Sequence, residues 1–461
     1  MEKYDVIIVG AGPAGIFSAL ELVKEREKPK ILMVEKGRDI EQRVCPMKTK
    51  NISCKACREC SLLSGWGGAG AYSDGKLTLS PEIGGFLSRY VTDRDLPSLL
   101  SYVDTLYVQH GAPGRLYGGN TQKIEQLSVR AAEQNLTLIP SRIRHIGTDR
   151  CLTVLKNMKD ALSGKIDVRF GSEAGRVITR KGKVGGITLR DGTKCHSDFV
   201  VLAPGREGSR WLESEARRLR LQLLKNPVDI GVRVEIPSAV FEHLARITYE
   251  PKLIYYSKTF QDKVRTFCVN PNGEVVKEYL KGIWTVNGHS YANGSSRNTN
   301  FALLVSTFFT EPFDEPILYG SYIAGLANLL GKGVILQRLG DLRMGRRSTH
   351  QRISQGTVVP TLRDATPGDL SFVMPYRHLT DILEMIEALD GLAPGVNSSD
   401  TLLYGAEVKF YSILPKLSGS LETDVRNLFA IGDGAGVSRG LIQASASGVI
   451  AAQEISRRMR V

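Results

Sequence analysis

The stretch YDVIIVGAGPAGIFSALELVKEREKPKILMVE, residues 4–35, decides the fold of the N-terminal part of this chain. It begins with a short β-branched run at residues 6–9, which is typical of a strand buried on both faces of a parallel sheet. Gly10, Gly12 and Gly15 follow as GxGxxG, and a second apolar run at residues 31–34 ends on Glu35. Strand, glycine turn, helix and strand in this order predict a βαβ unit.

We expect this unit to bind a dinucleotide. The three glycines permit the tight turn, the approach of a pyrophosphate and the close packing of the helix. The helix start, which includes Pro13 and Ala14, offers unpaired N–H groups to the diphosphate. Glu35 is suited to accept adenosine ribose hydroxyls, and Lys36 and Arg43 follow as further contacts, with the Arg43 guanidinium reaching the diphosphate or adenine side. The alternative is a βαβ unit with a structural role alone.

Two later segments are candidates for the same site. SGWGGAGAYSDGKL, residues 64–77, is too irregular for a helix and too rich in glycine for a strand. We interpret it as a loop against a flat ligand, with Gly67, Gly68 and Ala69 as contacts, or otherwise as a surface turn. Near the end, Asn427 and an apolar run at residues 428–431 lead into Gly432, Asp433 and Gly434. A helix from about residue 441 to 458 follows, so a strand delivers an acid and a helix N-terminus to one place.

These motifs in this order resemble the two-dinucleotide-binding-domain flavoproteins, the broad family of glutathione reductase. The chain is more closely similar to FAD-dependent dehydrogenases of bacteria and archaea. The likeness rests on GAGPAG (10–15), on CKACREC (54–60) leading into GGAGAYSDGK (67–76), and on IGDGAG (431–436). It implies that Asp433 binds the ribityl hydroxyls of FAD. It also implies that the N–H groups after Gly434 stabilise negative charge on the reduced flavin ring.

The resemblance implies an α/β protein. We expect residues 1–225 and 401–461 to form a Rossmann-like FAD-binding domain with a parallel sheet and an antiparallel β-meander, residues 166–196. Helices are predicted at residues 96–109 and 122–133, a third parallel strand at 136–140, and a helix ending at 162 that Asp149 caps. Residues 226–400 contain no GxGxxG of their own. Residues 226–400 are therefore predicted to be an inserted α+β substrate domain, and NAD(P)H as electron donor stays open.

Four cysteines lie close together, at Cys45, Cys54, Cys57 and Cys60. The CxxCxxC spacing suits one corner of a [4Fe–4S] cluster, and it leaves too little chain for the two separated knuckles of structural zinc. A redox-active dithiol facing the flavin and structural thiols without redox work are the other interpretations. The first two would each put a second electron carrier beside the flavin.

A basic segment of the inserted region suits an anionic substrate, because guanidinium groups bind carboxylates and phosphates bidentately. Its arginines are Arg338, Arg343, Arg346, Arg347 and Arg352. A solvated loop and structural ion pairs are the alternatives. His289 and His350 receive no catalytic role, and the catalytic residues are not identified.

Composition limits the partners. The chain has 461 residues, 42% hydrophobic content and a net charge of +13. Acids are interspersed through most of the chain and no RNA-binding motif is present, so we expect a basic surface without nucleic acid. Without a secretory or membrane segment, we expect a cytoplasmic protein that does not contact membranes.

We therefore predict an FAD-dependent oxidoreductase that acts on a small anionic or unsaturated organic substrate. One alternative is an iron–sulfur flavoprotein that transfers electrons to a redox partner protein. Another is an RNA-associated flavoprotein, which salt-sensitive RNA binding would reveal.

Overall fold

A computed structural model describes all residues except 1, 47–56, 58, 225, 281, 291–295, 311, 314, 410–413 and 461. The strands are β1 (Glu2–Val9), β2 (Ile31–Val34), β3 (Lys76–Leu79), β4 (Leu136–Ile139), β5 (Arg142–His145), β6 (Asp167–Arg169), β7 (Ala174–Arg180), β8 (Lys183–Leu189), β9 (Lys194–Leu202), β10 (Leu223–Leu224), β11 (Val228–Pro237), β12 (Lys252–Tyr256), β13 (Lys263–Asn270), β14 (Glu274–Leu280), β15 (Ile283–His289), β16 (Asn298–Thr307), β17 (Ile335–Arg338), β18 (Thr366–Pro367), β19 (Leu402–Lys409), β20 (Leu414–Pro415) and β21 (Leu428–Ala430). The helices are α1 (Pro13–Leu22), α2 (Asp95–Gln109), α3 (Thr121–Glu133), α4 (Thr148–Leu162), α5 (Ser209–Arg218), α6 (Ser238–Thr248), α7 (Pro316–Gly331), α8 (Leu339–Arg343), α9 (His350–Ser354), α10 (Tyr376–Leu392) and α11 (Leu441–Met459).

The chain divides into two compact units. Unit 1 consists of Met1–Arg115, Arg144–Asn226 and Tyr411–Val461, and unit 2 of Leu116–Ile143 and Pro227–Phe410. The predicted boundaries 1–225, 226–400 and 401–461 differ from this division in two places. Residues 116–143 belong to unit 2 because β4 pairs with β12, and residues 401–410 belong there because β19 pairs with β11 and β17.

The main sheet of unit 1 confirms the predicted α/β fold class. Its strand order is β6–β2–β1–β9–β8–β7, and β21 also pairs with β9. The pairs β6–β2, β2–β1, β1–β9 and β9–β21 are parallel, whereas β9–β8 and β8–β7 are antiparallel and form the predicted meander. The start of β9 pairs with β8 and its end pairs with β21, so this strand joins the meander to the closing motif.

The third parallel strand predicted at residues 136–140 is wrong. Residues 136–139 do form β4, but β4 runs antiparallel to β12 in unit 2. Its burial alternates along the strand, as expected of an antiparallel strand with one solvated face. The third parallel strand is instead β6, whose three residues Asp-Val-Arg carry no apolar run that the sequence could reveal.

The predicted helices are confirmed as α2, α3, α4 and α11. Asp149 does not cap α4: the N-cap residue is Gly147, and Asp149 lies in the first turn. The closing helix α11 packs directly on α1, because a Cβ on Gly448 would lie 2.1 Å from the backbone oxygen of Ala14. Within the described residues, no helix combines the length and the apolarity needed to cross a membrane.

Unit 2 is built on an eight-stranded sheet with the order β18–β17–β19–β11–β16–β13–β12–β4. Among its described strand pairs only β17–β18 is parallel. One face carries the apolar cluster that includes alternate residues of β11 and much of α10. The opposite face of β11 is polar: buried Arg233 forms a bidentate pair with buried Glu407 at 2.7 and 2.8 Å. This pairing satisfies two charges that isolation from water would otherwise penalise.

Candidate dinucleotide site

The site lies at the edge of the unit 1 sheet where the parallel strands β1, β2, β9 and β21 end. Parallel strands place their carboxyl ends on the same edge, so the loops that follow them meet. Three backbone hydrogen bonds hold these loops together: Gly10 N–H donates to Val34 at 2.8 Å, Ala203 N–H to Val9 at 2.8 Å, and Ile431 N–H to Leu202 at 2.9 Å. The edge therefore collects four loops from widely separated parts of the sequence.

The GxGxxG turn has the close contacts expected of its glycines. Gly10 has a φ of +105°, and a Cβ there would lie 2.1 Å from the backbone oxygen of Ala203. A Cβ on Gly15 would lie 2.0 Å from the backbone oxygen of Gly10. By contrast, a Cβ on Gly12 would meet no atom within 4 Å, so the backbone is open at the residue that precedes α1. Gly12 is also the N-cap, and no side chain accepts a hydrogen bond from the first turn of α1, which begins at Pro13.

Glu35 is buried and ties three segments together. Its carboxylate accepts hydrogen bonds from the N–H groups of Ala11 at 2.9 Å, Gly37 at 2.8 Å and Gly65 at 2.9 Å. A carboxylate offers about four lone-pair positions, so one remains for a ribose hydroxyl. The structure thus adds a positioning role to the predicted binding role of this residue.

The glycine-rich segment packs against the GxGxxG turn. Gly67 has a φ of +84°, and its N–H donates to Ala11 at 2.7 Å. A Cβ on Gly68 would lie 3.1 Å from the Cα of Gly12. The predicted irregular loop contains a short 3₁₀ helix, Gly68–Tyr72, in which Ala69 is half-buried. Fully buried Trp66 anchors the segment to α4 through its indole N–H, 2.8 Å from the oxygen of Leu155.

Arg43 is directed at the protein backbone and not at the edge where the cofactor was expected. Its guanidinium donates to the backbone oxygens of Ser61 at 2.9 Å, Trp66 at 2.6 Å and Gly68 at 2.8 Å. The guanidinium also lies over the ring of Tyr72. Burial lowers the pKa of Arg43, and the fork of donors fixes the shape of the glycine-rich segment. The structure shows this bracing role, and the predicted contact with the diphosphate stays a prediction.

Lys36, the residue after Glu35, pairs with Glu207 in the loop that follows β9. Burial lowers the pKa of Lys36. The ion pair links the end of β2 to the end of β9, so Lys36 also lies at the edge described above.

The closing motif reaches the same place. Gly432 has a φ of +73°, a Cβ there would lie 3.0 Å from the Cβ of Ala14, and its N–H donates to Ser447 Oγ at 3.0 Å. A Cβ on Gly434 would lie 2.4 Å from the backbone oxygen of Gly205. The structure therefore brings residues 10–15 and 432–434 together, although more than four hundred residues separate them in the sequence.

Asp433 faces polar neighbours at this edge. One carboxylate oxygen accepts from Ser438 Oγ at 2.7 Å, and the other lies 3.9 Å from Arg206 Nε. About a quarter of its side-chain surface is exposed, which leaves the carboxylate accessible to a ligand hydroxyl. The N-cap of α11 is Gly440, and no side chain caps that helix either. Two uncapped helix starts therefore border the edge, and each offers N–H groups to negative charge.

Sequence reasoning missed Gly205, Arg206, Ser438 and Ser447 as parts of this edge. The signal for Gly205 was present, because the apolar run of residues 199–202 ends on Ala-Pro-Gly as residues 6–9 end on a glycine. The run predicts a buried strand, but its parallel pairing with β1 has no local signature in the sequence. The pairing is what puts Gly205 opposite Gly434.

The cysteine prediction stays untested, because Cys54 lies outside the described residues. Cys45 and Cys60 are half-buried and Cys57 is exposed. Within the part of the chain that the structure describes, no group of three or more His, Cys, Asp or Glu side chains is arranged to hold a metal ion.

The arginines of the predicted anion site are largely engaged with carboxylates of unit 2. Buried Asp341 lies 2.9 Å from Arg346 and 3.9 Å from Arg352. Arg338 forms an ion pair with Asp400, and Arg343 forms one with Glu387 at 3.4 Å. Arg347 is exposed. This arrangement favours structural ion pairs over the predicted anion site.

His289 ends β15 and His350 begins α9, so both lie in unit 2.

The described residues of unit 1 fit a flavin adenine dinucleotide. The open backbone at Gly12 and the uncapped start of α1 suit a pyrophosphate, and the free acceptor position of Glu35 suits a ribose. At the other end, Asp433 suits the ribityl chain, and the uncapped start of α11 suits the electron-rich side of a flavin ring.

Comparisons with known proteins agree with that fit. Residues 227–410 match the family model "FAD-dependent protein, C-terminal domain-like", and residues 362–461 match "Glucose inhibited division protein A". An uncharacterised protein of Clostridium beijerinckii is 28% identical, over 97% of this chain and 80% of the relative. The matched families are FAD-dependent. The matches thus support an FAD-dependent oxidoreductase as the general class of protein.

Two similar solved structures are a formate oxidase and the L-proline dehydrogenase from P. horikoshii. The formate oxidase has a TM-score of 0.47 and 11% identity, covering 100% of this chain and 99% of that protein. The proline dehydrogenase has a TM-score of 0.42 and 10% identity, covering 99% of this chain and 94% of that protein. The matches specify no reaction, support neither an iron–sulfur cluster nor NAD(P)H, and do not confirm the narrower likeness to the glutathione reductase family.

Proposed function

We propose that this protein is an FAD-dependent oxidoreductase whose unit 1 holds the cofactor in an extended form along the edge of its sheet. Gly10, Gly12, Gly15 and Glu35 hold the ADP portion, and Asp433 with the start of α11 holds the flavin end. The substrate is a small anionic or unsaturated organic molecule. When bound, the flavin supplies the electron chemistry, which the protein side chains lack.

One observation carries this proposal: residues 10–15 and 432–434 lie against each other, so closely that a Cβ on Gly432 would lie 3.0 Å from the Cβ of Ala14. A βαβ unit that binds NAD alone needs only the first of these motifs. The second motif adds an accessible carboxylate and a second helix start, which suit the longer chain of hydroxyls and the ring of FAD.

The residues of the site bind, orient and exclude water. The uncapped start of α1 offers N–H groups to the pyrophosphate oxygens. The Asp433 carboxylate accepts hydrogen bonds from the hydroxyl groups of the ribityl chain. The start of α11 would stabilise negative charge on a bound flavin ring. Arg43 and Trp66 keep the glycine-rich segment folded over the turn at Gly12.

The variant Gly12→Asp tests the proposal. Gly12 has a φ of −78°, and a Cβ there meets no atom within 4 Å, so the aspartate fits without strain. Aspartate is also a favourable N-cap, so the apoprotein should keep or gain thermal stability. The carboxylate lies where the pyrophosphate should bind, and we expect a loss of FAD affinity of at least about 100-fold.

Purified wild-type protein should show the visible absorption bands of oxidised flavin, and Gly12→Asp should be colourless but folded. Gly114→Asp is the matched control, because a Cβ at Gly114 also meets no atom within 4 Å. A colourless wild type that fails to take up added FAD, or a Gly12→Asp variant that retains it, would contradict the proposal.

Three further measurements address the open predictions. Iron and acid-labile sulfide analysis of protein purified without oxygen tests the cluster proposed for Cys45, Cys54, Cys57 and Cys60, and a negative result would leave the thiol interpretations. Anaerobic bleaching of the flavin bands by NADH or NADPH tests the electron donor. The anionic substrate is tested by a panel of carboxylates, with reoxidation of the reduced protein as the readout.

A further inference from the structure

Within the described part of the chain, helix α7 (Pro316–Gly331) has an apolar face that no other segment covers. Tyr322 and Leu329 are 68% and 76% exposed. We define the α7 seam as the exposed residues Phe313, Leu318, Tyr322, Leu326, Leu329 and Leu330. Isolated exposed leucines are common, but contiguous patches of this kind mark interaction sites.

The spacing shows that the seam is one face of the helix. Leu318, Tyr322, Leu326 and Leu329 follow one another at intervals of four, four and three residues. The opposite face carries small buried residues, Gly320, Ala324, Ala327 and Gly331, which let α7 lie close to the sheet of unit 2. The helix thus has a small-residue face that is already packed and a large-residue face that is not.

The size of the seam matches a specific protein interface. A fully exposed large side chain presents roughly 200 Å², so the exposed fractions of the seam amount to about 650 Å² per copy. Two copies would bury about 1,300 Å², which lies within the roughly 1,200–2,000 Å² of stable protein interfaces. The patch also slightly exceeds the largest apolar patch of a typical monomer, about 300–600 Å².

Charge favours a second copy of the same chain. Helix α7 contains no Asp, Glu, Lys or Arg, so two seams can meet without like-charge repulsion despite the net charge of +13. Exposed Glu315 precedes α7 and exposed Lys332 follows it. An antiparallel pair of helices puts each Glu315 beside the partner's Lys332, and the helix dipoles are then also opposed.

The same features disfavour a membrane surface. Helices that lie in a membrane interface carry Lys and Arg on their polar face, and α7 has none. The residues before it include Glu311, Asp314 and Glu315, and acids at that position repel the anionic lipids of a bilayer.

We propose that two copies of this chain associate through antiparallel α7 seams about a two-fold axis. The register that pairs Glu315 with the partner's Lys332 also pairs Leu318 with the partner's Leu329. It places Tyr322 against the partner's Gly325, where a Cβ would meet no atom within 4 Å. In this register Leu318 meets an apolar side chain, Tyr322 meets open space, and Leu326 meets the small side chain of the partner's Ser321.

Sedimentation velocity on the full chain, with its cofactor, tests the interface. Wild type should sediment at twice the chain mass of 50.6 kDa at micromolar concentration. Leu329→Asp places a carboxylate on the seam twice per dimer, and we expect the dissociation constant to rise at least about 100-fold. Val129→Asp on α3 is the matched control, because Val129 is also an exposed apolar helix residue of unit 2 and should leave the dimer intact.

Charge reversal tests the orientation without touching the apolar face. Glu315→Lys should weaken the dimer, and Glu315→Lys combined with Lys332→Glu should restore it. A monomeric wild type at about 100 µM, or a dimer that Leu329→Asp leaves unchanged, would overturn the proposal. The proposal would also be overturned if wild type floats with phosphatidylglycerol-containing vesicles and Leu329→Asp does not, because the seam would then bind lipid. If the double variant does not form the dimer again, the antiparallel arrangement is wrong.

Discussion

Replacing Glu35 with glutamine tests how the GxGxxG turn is held in its binding shape. The change preserves side-chain size and removes one negative charge. In the wild type, Oε1 accepts from Gly37 and Gly65 while Oε2 accepts from Ala11. The Glu35→Gln amide has only one oxygen, so it can serve either the two donors on one side or the single donor on the other.

The magnitude follows from those three contacts. With its oxygen toward Gly37 and Gly65, the amide turns its NH₂ group toward the N–H of Ala11, which stays buried without an acceptor. An unsatisfied buried donor costs about 1–3 kcal/mol. The two remaining bonds become neutral and lose about half their strength, roughly 1 kcal/mol each. Together these terms destabilise the turn by about 3–5 kcal/mol, a large fraction of the stability of a typical domain.

Hydrogen exchange of the apoprotein measures this loss where it occurs. The amides of Ala11, Gly37 and Gly65 should exchange at least about 100-fold faster in Glu35→Gln, because each 1.4 kcal/mol is a factor of ten in the opening equilibrium. Glu41→Gln is the matched control: its carboxylate is exposed and pairs with Lys156 on the surface. We expect no measurable change there.

Unchanged protection of those amides in Glu35→Gln would refute the reasoning. It would mean that the carboxylate does not join the three segments and that any effect on FAD binding arises from the lost ribose contact alone. Adding FAD to both proteins separates the two roles, because a positioning role reduces protection already in the apoprotein and a ribose contact does not.

Three more predictions concern single side chains. Gly434→Ala places a Cβ 2.4 Å from the oxygen of Gly205, so the ratio of flavin to protein absorbance should fall, whereas Gly114→Ala, with open space around it, should leave that ratio unchanged. In Arg43→Lys, the single ammonium group cannot reach all three backbone oxygens that the arginine contacts. The amide protons of residues 66–70 should therefore exchange faster, while circular dichroism should show an unchanged content of secondary structure. Burial raises the pKa of the Asp381 carboxyl to about 6, so the folded protein binds this proton more tightly than the unfolded chain does. The resulting contribution to the free energy of unfolding is present below about pH 4 and is lost as the pH rises through 6. The melting temperature of Asp381→Asn relative to wild type should therefore increase from pH 4 to pH 8, and a pH-independent difference would contradict the assignment.

Local sequence pattern was sufficient for the βαβ unit. The run at residues 6–9, the glycine turn and Glu35 at the end of β2 appear in the structure where the pattern predicts them, because all three depend on interactions within thirty-five residues. The closing strand and α11 were found for the same reason, since an apolar run, a Gly-Asp turn and a small-residue helix each have a local signature.

Long-range pairing is where local reasoning failed. Residues 136–139 and β6 both form strands, yet only partners far away in the chain decide which sheet each joins. Arg43 could not be assigned from sequence either, because a guanidinium serves a phosphate or three backbone oxygens equally well. The three oxygens come from residues 61–68, and their position depends on the anchoring of Trp66 against α4.

The sequence by itself determined that this chain has a dinucleotide-type turn at its start and a second acid-bearing turn near its end. Only the tertiary structure decided that the two form one site, because contact between Ala14 and Gly432 requires β9 to pair with β1 on one side and with β21 on the other. Side-chain chemistry is encoded residue by residue, whereas the meeting of residues 10–15 with residues 432–434 depends on strand order, which emerges only when the whole sheet forms.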